Sequence, residues 1–124
     1  MAISRTDAMN RALRNLQAGL ADVEASAVVS EDGLIIASAL PQGFEEPRIA
    51  AMSAAILSMS TRAAVDLRRG ALEQIYMKGD QGYALLMSCG PHAVLLALTR
   101  VEAKLGLIFF ELARTRDELK SILT

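Results

Sequence analysis

Apolar residues near the start of the chain recur at helical spacing. Met9, Ala12, Leu13, Leu16, Leu20 and Val23 fall on one face behind Ser4 or Thr6 as a candidate N-cap, which predicts a helix over roughly Thr6 to Asp22. The period then drops to two. Ala25 to Ser30 and Leu34 to Ser38 read as strands, joined by Glu31-Asp32-Gly33, a tight turn whose glycine can take positive φ. Leu40 to Pro47 has turn residues at both ends; Pro47 is placed to open a long second helix and Gly70 to end it, after Arg68 and Arg69. From Leu72 the chain reads as three successive strands, Leu72 to Lys78, Tyr83 to Ser88 and Ala93 to Thr99, with turns at Gly79-Asp80-Gln81-Gly82 and Cys89-Gly90-Pro91-His92. Leu105, Ile108, Leu112, Leu119 and Leu123 then share one face of a third helix.

Ala84 to Met87 and Ala93 to Leu98 are apolar on both faces, so helices are expected to cover both sides of the sheet. The strand from Leu72 carries Glu73, Gln74 and Lys78 and has the character of an edge. The predicted fold is α+β: a single domain over residues 1–124, in the order α-β-β-α-β-β-β-α, folded as a three-layer α/β/α sandwich around a five-stranded antiparallel sheet.

The second helix is too apolar for one partner. Between Ile49 and Val65 its one charged residue is Arg62. At about 100° per residue, Ile49, Met52, Ile56, Met59, Ala63 and Leu67 form a face expected to dock on the sheet. A small-residue face of Ala50, Ala54, Leu57, Ala64 and Val65 is left for a copy of the same helix, or a partner, to approach. Together with Ile75 and Met77 on the predicted edge strand, these form the expected dimer interface. A third face brings Ala51, Ser58, Arg62 and Arg69 together as a candidate partner-docking surface, although cations near a helix C-terminus are also explained by its dipole.

Composition narrows the chemistry. Thirteen basic and 14 acidic residues leave a net charge of -1, scattered along the chain, which disfavours nucleic-acid binding. No signal-peptide-like stretch precedes the first helix, and the apolar run in the second is interrupted by serines and Arg62, so a cytoplasmic protein without membrane insertion is expected. No phosphate-binding glycine loop is present, and one His with one Cys cannot furnish a zinc site, so no cofactor or metal is expected. Cys89 and His92 flank a turn and could approach as a thiol–imidazole pair, but no orienting acid is evident. Glu45-Glu46 suits the positive end of the second helix better than acid catalysis. No intrinsic active site is expected.

The string Val28-Val29-Ser30-Glu31-Asp32-Gly33-Leu34-Ile35-Ile36-Ala37-Ser38 resembles the first hairpin of the Roadblock/dynein light-chain-7 family. The Ala/Ser/Met-rich helix, Leu72-Glu73-Gln74-Ile75-Tyr76-Met77-Lys78-Gly79 and Lys104-Leu105-Gly106-Leu107 agree in order, so the resemblance spans nearly the whole chain. It implies a homodimer in which third strands pair across a twofold axis while second helices lie together on one face. It also implies a small Ras-like GTPase as partner, bound by activators of GTP hydrolysis, as in bacterial gliding-motility regulators of the MglB type, or by scaffolds. In those regulators the helix-two face contacts the GTPase and reorders its own residues, which carries contacts onto Ala51, Ser58, Arg62 and Arg69 here. The chain stops at Thr124, just after the third helix, and is expected to lack the additional C-terminal segment of the gliding-motility type. The leading expectation is therefore a GTPase regulator, and the alternative a dimeric adaptor for motor or signalling complexes.

Overall fold

The predicted periods are realised as α1 (Arg5–Gly19), β1 (Val23–Ser30), β2 (Ile35–Ala39), α2 (Glu46–Asp66), β3 (Gln74–Gly79), β4 (Gly82–Ser88), β5 (Ala93–Thr99) and α3 (Leu105–Leu123). The computed structural model describes residues 3–124; Met1 and Ala2, part of the N-terminal reading above, lie outside the described residues. Every strand pair is antiparallel, in the order β2-β1-β5-β4-β3, which makes β3 an edge as its composition predicted.

Two cores separate the three layers. Met9, Leu13 and Leu16 of α1 and Ile108, Leu112 and Leu119 of α3 pack with Val28, Leu85 and Leu95 on one sheet face. Ala50 of α2 packs with Ala27, Val29, Leu86, Val94 and Leu96 on the other. Ser4 caps α1, its side chain accepting from the Asp7 N–H at 3.1 Å. That helix ends at Gly19 rather than Asp22, because Leu20 is already extended and Val23 opens β1 opposite Thr99.

Helix α2 departs from expectation at its end and in its faces. It stops at Asp66, before Gly70. The Arg68 N–H bonds the Val65 carbonyl and the Arg69 N–H the Ala64 carbonyl at 2.7 Å, with Arg68 itself left-handed at φ 58°. This is a Schellman stop with arginine where glycine is preferred. An L side chain in that conformation costs about 1 kcal/mol. Arg68→Gly is expected to raise the melting temperature by about 4 °C in a thermal scan, and an unchanged value would mean that Arg68 is not left-handed in solution.

The sheet-facing stripe of α2 is Ile49, Ala50, Ser53, Ile56, Leu57, Ser60 and Ala64, with Ala50 and Ser53 buried and Ile49, Ile56 and Leu57 packed against the α2-side core. The assignment of Met52 and Met59 to the sheet side is therefore corrected: they are 50% and 68% exposed. The sheet side is filled by Ile49, Ile56 and Leu57 around the small Ala50 and Ser53, which leaves both methionines outside it. On the flank toward the β1–β2 turn, a Cβ placed on Gly33, at φ +85°, would lie 3.4 Å from the Ala51 Cα and 3.7 Å from the Ala54 Cβ, so the turn and the helix touch through small residues.

Candidate partner-binding surface

The outer surface of α2 follows from that reversal. Met52 and Met59 share one flank of the helix; Val65, about 120° round the helix from Met59, and Met77 of β3 are also at least half exposed. Ile75 packs into the α2-side core, and Met77, two residues on along the strand, lies on the same sheet face. Flexible methionines exposed on a helix and on an open edge strand are adaptable apolar surface.

Of the residues expected in the interface, Ala50 is wholly buried within its own chain and has no surface for a second copy. Leu57 is half-buried in the α2-side core, Ala54 rests on the Gly33 turn, and Ala64 is half-buried. Val65 and Met77 are the expected interface residues that the structure leaves open. Helical periodicity alone could not find Met52 and Met59, because both faces of α2 are apolar.

A groove of about 640 Å³ runs between α2 and the turns at the end of the sheet, lined among others by Glu31, Asp32, Leu57, Ser58, Arg62 and Pro91. Ser58 and Arg62 thus share a site, and Ala51 sits over Gly33 beside it. Arg69 does not join them. It follows the left-handed turn at Arg68, where helical spacing no longer applies, and its Nε donates to the Leu67 carbonyl at 3.1 Å. Among the described residues Arg62 and Asp32 form no ion pair. Glu31 is held by His92, with Nδ1 to Oε1 at 2.8 Å, and the Glu31 N–H donates to the His92 carbonyl at 3.0 Å, tying the β1–β2 and β4–β5 turns together.

The other candidate chemistry is taken apart by the fold. Cys89 is buried, its sulfur 3.8 Å from the Met87 carbonyl, while His92 is exposed and occupied by Glu31, so the two do not form a pair. Burial pushes the Cys89 thiol up from 9.0 to about 12, with the Arg116 guanidinium acting weakly in the opposite direction. The thiol is protonated throughout the neutral range, so labelling by a disulfide reagent at pH 8 is expected to be at least about tenfold slower than in denaturant. Equal rates would place Cys89 at the surface. Glu46 accepts from the Ser38 hydroxyl at 2.8 Å, whereas Glu45 pairs with Arg48 at 3.7 Å, so the two carboxylates serve different neighbours. No helix among the described residues is long and apolar enough to cross a membrane.

The family model for the Roadblock/LC7 domain matches residues 9–99. An uncharacterized protein of Methanocaldococcus jannaschii, MJ0310, is 34% identical over 100 residues that span 81% of this chain and 87% of that protein. Among solved structures, Myxococcus xanthus MglB matches with a TM-score of 0.89 at 19% identity, covering 99% of this chain and 92% of MglB. A Roadblock/LC7 domain from Streptomyces avermitilis matches with a TM-score of 0.85 at 17% identity, covering 92% of this chain and 96% of that domain.

Proposed function

Because the chain belongs to the Roadblock/LC7 family, we propose that it is a dimeric, non-catalytic regulator of a small Ras-like GTPase. The observation that carries this reading is the pair of outward methionines on α2 together with the open β3 edge. A second copy covers Met52, Met59, Val65 and Met77 and pairs its β3 backbone with that of the first, with Ile75 contributing through its main chain. The likeness of fold to MglB and the groove beside α2 support a GTPase as the further partner.

Ser58 and Arg62 are the side chains we assign to that partner, with Ala51 at their margin. Arg62 is exposed and makes no ion pair among the described residues, which leaves its guanidinium to meet an acidic group on the GTPase. No role in phosphoryl transfer is assigned to it. Regulation comes from binding one conformation of the GTPase more tightly than another, which shifts its population and hence its rate of hydrolysis.

The test is binding to the Ras-like GTPases of the same genome, each loaded with GDP and with a non-hydrolysable GTP analogue, followed by single-turnover hydrolysis. Nucleotide-dependent binding is expected, weakened at least about tenfold by Arg62→Glu. Binding with an unchanged hydrolysis rate would leave an adaptor role, and no binding in either state would remove the GTPase reading.

A further inference from the structure

The two edges of the sheet are not equivalent. β3 pairs with β4 without interruption, from Gln74 opposite Met87 to Gly79 opposite Gly82. Among the described residues no side chain bonds its backbone. β2 is five residues long, and its register with β1 shifts between Val28 and Val29. Its Ser38 is also tied down twice. The Ser38 N–H donates to Asn10 Oδ1 of α1 at 3.3 Å, and the Ser38 hydroxyl donates to Glu46 Oε2, in the first turn of α2, at 2.8 Å.

An amide satisfied from α1 rather than from β1 points away from the sheet, where an added strand would have to bond. We infer that Asn10 and Glu46 guard the β2 edge, so that copies of this chain join through β3 alone and assembly stops at two. The inference rests on the dimer proposed above. A sheet with two open edges, each able to pair with its own kind about a twofold axis, has no closing contact and grows as a ribbon. Any strand adding to β2 must displace the Asn10 carbonyl and take the Glu46 carboxylate out of water, and a carboxylate left with the Ser38 hydroxyl as its donor and no cation opposes that strongly. The shifted register adds a local twist that a flat incoming strand does not match.

The test compares the parent chain with Asn10→Ala and with Asn10→Ala/Glu46→Ala by sedimentation velocity over a concentration series, with far-UV circular dichroism to establish folding. The parent is expected to level off at twice the chain mass. The variants are expected to climb with concentration to at least about twofold the parent mass, while Asn10→Asp, which keeps the acceptor and adds a charge, stays at the parent value. The single variant leaves the α2 N-terminus intact and gives the same reading if the double variant does not fold. Variants that keep the parent mass at every concentration overturn the guard. If the parent is itself a monomer, the dimer reading fails separately. In that case variants that pair support the guard, and variants that remain monomers overturn it.

Discussion

Gly82→Ala is expected to destabilise the fold by roughly 3 kcal/mol or more, lowering the melting temperature by about 10 °C or abolishing soluble expression. Gly82 opens β4 at φ +149°, and a Cβ there would be driven into the Thr99 carbonyl oxygen, well inside van der Waals contact. That oxygen is backbone. It belongs to β5, whose Thr99 pairs with Tyr83 on one side and Val23 on the other, so it cannot move without disturbing three strands. Gly79, at the other side of the same turn, supplies the control: a Cβ there meets the Gly82 carbonyl oxygen at 3.6 Å, ordinary contact, and Gly79→Ala is expected to melt within a few degrees of the parent. Equal melting of the two variants would mean that β4 and β5 do not approach as closely as described.

Met59→Asp combined with Met52→Asp is expected to split the proposed dimer, raising its dissociation constant at least about a hundredfold. Twofold symmetry places each substitution in the interface twice, and taking a carboxylate out of water into an apolar seam is strongly opposed. Both residues are exposed in the single chain, so the variant monomer is expected to remain folded, with unchanged circular dichroism and a halved mass by light scattering. The choice of residue matters. Leu57, assigned to the seam by periodicity, is half-buried in the chain's own α2-side core, and a charge there would disturb the monomer as well. A dimer unaffected by both aspartates would place the interface elsewhere.

Element order, sheet class and the edge position of β3 were legible because each depends on a local period or on a few polar residues in a short strand. The register of α2 about its own axis was not. Apolar side chains stand on both sides of it, Ile49, Ile56 and Leu57 toward the sheet and Met52 and Met59 away from it, and the choice between them is made by packing on the sheet, a tertiary quantity. Large side chains stand on both faces, so size could not decide between them. Arg62 and Ser58 were found together because their spacing lies wholly within the helix, whereas Arg69 was misplaced by extending that spacing through a left-handed residue. The Asn10–Ser38 contact joins elements 28 residues apart and leaves no trace in any local pattern.

The central position of β5 governs how the chain can be made. Its partners on β1 lie roughly 70 residues earlier, Ser30 against Ala93 and Val23 against Thr99. The β1–β2 hairpin emerges from the ribosome long before the strand that will sit beside it, with the apolar faces of Ala27, Val28 and Val29 unpaired on that side. Folding of this domain therefore waits for β5 and closes one long loop. The nascent hairpin is the part of the molecule for which a chaperone has the most to cover.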